Sequence, residues 1–295
     1  MQIDPNSPDW PWNRHHRVVS ASMGPFAHGS DLVAHATPNN QQPEGVGVFE
    51  ENQSLEELRQ KNAQRFIEFM MSIGALRFGE FKTKAGRLSP YFLNAGLFSD
   101  GASLGQLANA YADCLAPELG QGSFVCDMLF GPAYKGIPLV STTAVMLEMR
   151  YGRNLPYAYN RKEAKDHGEG GVIVGAHIRG KVLIIDDVIS AGTSVRESVE
   201  LIRGAGAEPA GVLIALDRQE RGQGELSAVQ EVNKTYGIPV FSIATLEDII
   251  AYLELMKKMP LNPDIVLDVT RNLERVLAYK AQYGADVEAK HGVAS

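Results

Sequence analysis

The chain has 295 residues, of which 44% are hydrophobic and 21% are charged, and its formal net charge is −7. This composition is typical of a soluble globular protein with a sizeable core, built as one large domain or two small ones. The negative charge argues against a surface made to bind nucleic acid, and no apolar stretch is long enough to cross a membrane.

Residues 1–52 differ from the rest of the chain, because they are rich in Pro, Asn, Ser, Gly, Gln and His and show no sustained periodicity. We interpret them as a disordered or loosely attached extension. A mitochondrial presequence is a weaker alternative, because the stretch is not Arg-rich and contains Asp4, Asp9 and Asp31. Another alternative is a misplaced start, with the true first residue near Met23 or later.

The next segment begins with a capping box, in which Ser54 is followed three residues later by Glu57. We expect a helix from there to about Gly74. Short apolar runs around Gly86 then predict antiparallel strands joined by a glycine turn over 76–94. Further helices are expected over 103–116 (closed by Pro117), 137–149, 195–202, 226–236, 245–257 and 264–283, and strands over 124–130, 155–159, 182–185, 210–216 and 240–243.

The two cysteines, Cys114 and Cys126, lie in apolar stretches of these elements. A pair of cysteines does not make a disulfide framework, so we interpret both as reduced core residues. We therefore expect the protein to be cytoplasmic.

The alternation of strands and helices predicts a parallel α/β sheet, and such sheets bind ligands at the carboxyl ends of their strands. Polar or glycine-rich motifs directly follow the strands that end at Phe130, Ile185 and Leu216. We expect these motifs to form one shared site.

The most informative stretch is 182–194, which reads as a buried strand, two carboxylates, a loop of small and hydroxyl residues, and a helix. This layout is typical of a phosphate-binding loop, in which free amides at the helix start meet the anion. It differs from a P-loop because it has no lysine. Asp186 and Asp187 would accept hydrogen bonds from sugar hydroxyls or help to hold a divalent cation. A ribose 5-phosphate fits both ends of the motif. The simpler alternative is an acidic cap on a crossover helix, which needs one Asp.

Two other stretches carry cations. Residues 131–136 combine Gly and Pro with Lys135, which is typical of a backbone that approaches a ligand closely, although a plain strand-to-helix turn is the alternative. Residues 161–171 are charged and lack large apolar side chains. Such a run is either a solvated loop or a lid that closes over an anion.

The motifs resemble those of a known family. Residues 184–193 look like the phosphoribosyl pyrophosphate (PRPP) motif of type I phosphoribosyltransferases, and 130–136, 160–170 and 216–222 resemble orotate phosphoribosyltransferases. The resemblance runs from about Gln64 to Gly284. It implies the type I phosphoribosyltransferase fold, an α/β parallel sheet flanked by helices. The expected parts are a domain over 53–284, a hood over about 76–98, a lid over about 160–172 and a tail over 285–295.

The resemblance also implies a reaction and its requirements. The 5-phosphoribosyl group of PRPP would be transferred to N1 of orotate, giving orotidine 5′-monophosphate and pyrophosphate in UMP biosynthesis. The transition state would resemble an oxocarbenium ion. Mg²⁺ would neutralise pyrophosphate, held mainly through PRPP and water rather than by direct protein ligands. The family pattern further implies a homodimer whose lid loops are shared between subunits, with no nucleic-acid or membrane partner.

Site residues follow from the resemblance, position by position. PRPP or pyrophosphate contacts are expected from Lys84, Tyr134, Lys135, Arg161, Lys162, Lys165 and His167, and the ribose 5-phosphate motif is Asp186, Asp187, Val188, Ile189, Ser190, Ala191, Gly192, Thr193 and Ser194. Orotate contacts are expected from Phe92, Leu93, Ser190 and Arg218, the last because a guanidinium can grip a carboxylate with two hydrogen bonds. Catalytic roles are expected for Lys84, Lys165, His167, Asp186 and Asp187, and Lys84, Lys165 and His167 all stay open as the general base.

Two positions depart from the family pattern: Ser190 stands where Thr is usual, and Leu93 where a second Phe is common.

Three rival functions follow from the same motifs. A non-catalytic PRPP-binding regulator would need neither a cationic lid nor Arg218. A purine phosphoribosyltransferase is disfavoured by Arg218 and the lid sequence. A bifunctional enzyme that also decarboxylates orotidylate would need roughly 250 further residues for a (β/α)₈ domain.

Overall fold

The computed structural model describes residues 54–83, 86–120, 124–165, 171–189 and 192–286, with only the backbone described at 163–165 and 171. Several expectations therefore lie outside the described residues: the extension at 1–52, the end of the tail beyond residue 286, and Lys84, His167, Ser190 and Ala191.

The strands are β1 (Leu76–Lys82), β2 (Leu88–Leu93), β3 (Met128–Gly131), β4 (Tyr157–Lys165), β5 (Gly171–Gly175), β6 (Lys181–Asp186), β7 (Glu208–Asp217) and β8 (Val240–Thr245). The helices are α1 (Leu55–Ser72), α2 (Gly101–Gly120), α3 (Gly136–Tyr151), α4 (Thr193–Gly204), α5 (Ala228–Tyr236), α6 (Leu246–Lys258) and α7 (Pro263–Tyr283). A short 3₁₀ helix covers Ala95–Leu97. None of the helices in the described residues is long and apolar enough to cross a membrane.

The main sheet has the order β5-β4-β3-β6-β7-β8. Strands β3, β4, β6, β7 and β8 run parallel, and β5 returns antiparallel to β4 at one edge. The sequence prediction of a parallel α/β sheet is therefore confirmed.

Strand β6 is the centre of the core. Its residues Val182, Leu183, Ile184 and Ile185 are all fully buried, as expected for a parallel strand covered on both faces. Val182 and Ile184 share a cluster with Val195, Val199 and Ile202 of α4, together with Val232 of α5. The apolar stripe read from the sequence of α4 thus faces the sheet.

The hood is a separate antiparallel pair, β1 with β2. Arg87, at the turn between these strands, fastens the hood to the main body. Its Nη1 and Nη2 donate to the carbonyls of Arg221 (2.7 Å) and Gly222 (3.1 Å), and its Cζ lies 4.9 Å from the centre of the Tyr283 ring. The residue just before β2 is therefore tied to the loop after β7 and to the last helix.

The structure corrects three element boundaries. Helix α2 continues through Pro117 to Gly120, because a proline in the last turn removes one hydrogen bond without preventing the turn. Strand β3 begins at Met128 rather than Phe124, since its pairing with β6 starts at Met128 and Val182.

The third correction concerns the charged stretch that starts at Arg161. It is not a plain loop, because β4 continues to Lys165 and pairs there with Gly171 of β5. Strand β5 was not expected. The pairs with β5 are formed at Asn160 and Lys165, with an irregularity between them. A strand at the edge of a sheet tolerates charged residues, so a lack of apolar residues does not prevent one.

We expect Gly131→Ala to destabilise the protein by about 1–3 kcal/mol, as overpacking does. A Cβ at residue 131 would lie 2.2 Å from the carbonyl oxygen of Gly136 and 2.7 Å from Cγ1 of Val140. Urea unfolding measures the effect. Gly105→Ala is the control, because a Cβ there meets nothing within 4 Å and helix propensity favours Ala by about 1 kcal/mol. Equal unfolding midpoints for the two variants would contradict the packing argument.

Candidate active site

The carboxyl ends of β3, β6 and β7 lie side by side, since these strands are neighbours in the sheet. The segments that leave them start at Pro132, Asp187 and Arg218. The sequence expectation that three motifs meet at one edge is confirmed.

The two carboxylates that end β6 are buried, with 7% of Asp186 and 9% of Asp187 exposed. Asp186 accepts hydrogen bonds from the Ser194 hydroxyl (2.7 Å) and from the amide of Asp187 (2.9 Å), and Asp187 accepts one from the amide of Val188 (2.9 Å). Burial, with a further contribution from the charge of Asp187, raises the pKa of Asp186 to about 6.

Helix α4 starts without a side-chain cap. Its cap residue is Gly192, in the left-handed region at φ 67°, and no side chain there bonds to the first amides. The alternative in which an Asp caps this helix therefore fails, because Asp186 binds the Ser194 hydroxyl instead. Uncapped amides at a helix start are a site where an anion is stabilised.

The rest of the 188–194 motif adopts separate roles. Val188 is half-buried, and Ile189 packs against the core cluster around β6. Thr193 is exposed in the first turn of α4. The motif thus combines a core anchor with groups that stay accessible.

A cationic turn faces the acidic pair. The ammonium group of Lys135 pairs with Oδ2 of Asp187, while 63% of the Lys135 side chain is exposed. Tyr134 is exposed, and Nζ of Lys162 lies 5.2 Å from its ring centre. The turn is also joined to β4 by a 2.7 Å hydrogen bond from the amide of Ala133 to Asn160.

Arg161 contributes a second cation on β4. Its Nη1 is buried and has no hydrogen-bond partner among the described residues. A buried guanidinium nitrogen without a partner is costly, so an acceptor from a ligand would stabilise it.

Arg218 lies between the end of β7 and the hood. Its Nε and Nη2 donate to Oε1 of Glu220 at 2.9 and 2.6 Å, and Nη2 also donates to the Ser89 hydroxyl at 2.9 Å. The Tyr91 ring covers the guanidinium, with 4.3 Å between its centre and Cζ. The Nε–Nη2 edge is therefore already occupied by Glu220.

The expected orotate-contacting pair is split by the strand geometry. Phe92 and Leu93 are consecutive in β2, so their side chains point to opposite faces. Phe92 stacks on Phe81 with ring centres 5.4 Å apart, whereas Leu93 lines a cavity of about 70 Å³ with Lys135 and Asp187. Leu93 is thus the member of the pair that lies beside the acidic residues.

Comparison with known proteins shows the family of this chain. A family model described as a phosphoribosyl transferase domain matches residues 106–242. The orotate phosphoribosyltransferase of Chromobacterium violaceum is 60% identical over 223 residues, which is 76% of this chain and 97% of the relative. That of Laribacter hongkongensis is 59% identical over 221 residues, or 75% of this chain and 97% of the relative. The chain belongs to the orotate phosphoribosyltransferase family.

A solved structure agrees. The crystal structure of orotate phosphoribosyltransferase from Francisella tularensis is 38% identical, with a TM-score of 0.63, and the match covers 75% of this chain and 100% of that one. The type I phosphoribosyltransferase fold expected from the sequence is therefore confirmed.

Sequence reasoning missed the residues that hold Arg218 in this phosphoribosyltransferase. Glu220 lies inside the 216–222 motif, but a carboxylate two residues from an arginine has no special signal in sequence. Ser89 and Tyr91 are 129 and 127 positions from Arg218 along the chain, and only the packing of the hood brings them close.

We expect Asp186→Asn to stabilise the ligand-free protein at pH 8 by about 1–3 kcal/mol, given about 1.4 kcal/mol for each pKa unit. The pKa of Asp186 is raised in the folded state from its usual 3.8 to about 6. The folded state therefore binds more protons than the unfolded state between these values, and wild-type stability falls as pH rises through that window. Urea unfolding at pH 4 and pH 8 should show the variant's advantage at pH 8 alone.

The control for this experiment is Asp100→Asn. The pKa of Asp100 is lowered by hydrogen bonds from Ser103, first its amide and then its hydroxyl. Its contribution to stability is present at high pH and lost on acidification, so the substitution should destabilise at pH 8. An Asp186→Asn variant that is also less stable at pH 8 would contradict the cost assigned to burying Asp186.

Proposed function

We propose that the chain transfers the 5-phosphoribosyl group of PRPP to N1 of orotate, releasing pyrophosphate and forming orotidine 5′-monophosphate in UMP biosynthesis. One observation carries the proposal: the buried acidic pair lies between the uncapped start of α4 and the cationic turn of Lys135. The start of α4 suits a phosphate, and the cationic turn suits a diphosphate. The carboxylates between them can accept hydrogen bonds from sugar hydroxyls. The identity of about 60% to orotate phosphoribosyltransferases supports the choice of base.

The ribose end follows from the geometry around β6. The 5-phosphate accepts hydrogen bonds from the amides at the start of α4, where the helix dipole favours it. Asp186 and Asp187 accept hydrogen bonds from the ribose hydroxyls. Binding of the sugar diol thereby stabilises carboxylates whose burial is otherwise unfavourable.

The leaving pyrophosphate needs positive charge. Lys135 would exchange Asp187 for the diphosphate, and Lys162 lies beside the same turn. Among the described residues Nη1 of Arg161 has no hydrogen-bond partner, so it is available to the same anion. These three cations stabilise negative charge that grows as the bond to C1 breaks. Lys84, Lys165 and His167 complete the set that the family resemblance assigns.

Mg²⁺ fits the chemistry of this site, since the carboxylate oxygens of Asp186 and Asp187 are of the type that it binds directly or through water. We propose that it is held mainly by PRPP and water, with no protein atom as a direct ligand. When bound, it would neutralise part of the charge of pyrophosphate.

The sugar passes through an oxocarbenium-like state, which water would trap. The β4–β5 hairpin flanks residues 166–170, and we propose that the segment 160–172 closes over the site as a lid. Lys84, Lys165 and His167 are the candidates for the general base.

Orotate binds between the hood and the end of β7. Glu220 occupies Nε and Nη2 of Arg218, so we assign the remaining edge of the guanidinium to the orotate carboxylate. Leu93 forms an apolar wall beside the acidic pair, while Phe92 presents a ring that is 40% exposed. Ser190 supplies a further hydroxyl.

The proposal extends to the assembly and the chain ends. It includes a homodimer in which each lid reaches the neighbouring site, a cytoplasmic location, and no nucleic-acid or membrane partner. Residues 53–284 form the catalytic domain, 1–52 an extension and 285–295 a tail.

The test is loss of orotate absorbance on mixing the purified protein with orotate and PRPP, with and without Mg²⁺. Loss that requires both PRPP and Mg²⁺ is the expected result. Binding of PRPP without turnover would instead favour the non-catalytic regulator, and turnover with hypoxanthine in place of orotate would favour the purine enzyme.

We expect Lys165→Ala to lower kcat by about a hundredfold or more, as loss of a group that stabilises transition-state charge does. The fold should survive, because the backbone of residue 165 keeps its pairing with Gly171. Lys181→Ala is the matched control, since Lys181 is exposed at the opposite end of the sheet. Wild-type turnover in Lys165→Ala, with the same melting temperature as the control, would refute the role of Lys165.

A further inference from the structure

The hydroxyl of Tyr111 lies directly beneath the acidic pair. Tyr111 belongs to α2, its side chain is fully buried, and its hydroxyl donates a 2.7 Å hydrogen bond to the main-chain carbonyl of Asp186. It also lines the cavity that Leu93, Lys135 and Asp187 surround. A helix on one face of the sheet thus touches the backbone at the point where the acidic motif begins.

The sheet explains why the Asp186 carbonyl needs this partner. The carbonyl of Asp187 accepts the amide of Ala215 on β7 at 2.9 Å. Pairing of β6 with β3 ends at Phe130 and Ile184, two residues before Asp186. The pairing with β3 stops short of Asp186, and the Tyr111 hydroxyl gives its carbonyl a hydrogen bond.

The hydroxyl is a permanent donor. Burial, and then the neighbouring charges of Asp187 and Asp186, raise the pKa of Tyr111 well above its ordinary value. The Tyr111 hydroxyl therefore stays protonated in the pH range in which the protein works. Loss of this donor would leave the buried carbonyl of Asp186 without its hydrogen bond from Tyr111, which is unfavourable.

We propose that Tyr111 is a positioning residue for phosphoribosyl transfer, whose hydroxyl fixes the direction in which the chain leaves β6 and so aims Asp186 and Asp187 at the ribose of PRPP. Tyr111 itself touches no substrate. The inference rests on the proposed function, because it assumes that the acidic pair binds the ribose hydroxyls.

Tyr111→Phe tests the inference by steady-state kinetics in which PRPP and orotate are varied separately. The KM for PRPP should rise about tenfold, which corresponds to the loss of one buried hydrogen bond, while the KM for orotate changes less than about twofold. The control is Tyr151→Phe, whose hydroxyl donates a 2.6 Å bond to Asp113 between α2 and α3, away from the acidic pair. It should leave both KM values unchanged.

A second variant carries 4-aminophenylalanine at position 111, which keeps a weaker N–H donor. Its KM for PRPP should lie between those of wild type and Tyr111→Phe, and it replaces the Phe variant if that protein does not fold. Equal rises in both KM values, or lower stability with unchanged KM values, would overturn the inference.

Calorimetric binding of ribose 5-phosphate separates this inference from the proposed function. The sugar phosphate engages the loop and the acidic pair without any turnover. Weaker binding by Tyr111→Phe than by wild type supports the positioning role even if orotate is not the substrate, and equal binding refutes it.

Discussion

The burial of two adjacent carboxylates at the end of a fully apolar strand is the constraint on which the site depends. Removing a carboxylate from water costs several kcal/mol unless hydrogen bonds and opposite charge compensate. Asp186 has the Ser194 hydroxyl, Asp187 has the Val188 amide and the Lys135 ammonium group, and the carbonyl between them has Tyr111. The strand, the helices on both faces and the cationic turn are all needed to hold one pair of charges in place.

Much of this arrangement was predictable because it depends on local pattern. Consecutive β-branched and leucine residues in 182–185 indicate a strand buried on both faces, and Val195, Val199 and Ile202 mark the face of α4 that covers it. The order of strands and helices then places the polar motifs at one edge of the sheet. Periodicity and chain order were sufficient for these conclusions.

The features that sequence reasoning missed depend on contacts distant in the chain. Residues 161–165 belong to a strand because β4 pairs with β5, and the amino-acid types in this stretch do not indicate a strand. Two of the residues that hold Arg218, Ser89 and Tyr91, come from the hood, and the hydrogen bond from Tyr111 to Asp186 joins residues 75 positions apart. The error at Pro117 has a local cause. Proline usually ends a helix, but in the last turn of α2 it removes only one hydrogen bond, so the helix continues to Gly120.

The attachment of the hood through Arg87 joins the β1–β2 pair to the last helix. Tyr279 lies edge-on to Tyr91, with ring centres 6.4 Å apart, and Tyr283 stacks beneath Arg87. The aromatic end of α7 therefore packs against the hood and helps to fix its position. A fusion or truncation at the carboxyl terminus that displaced these two rings would disturb the hood and, through Tyr91, the packing around Arg218.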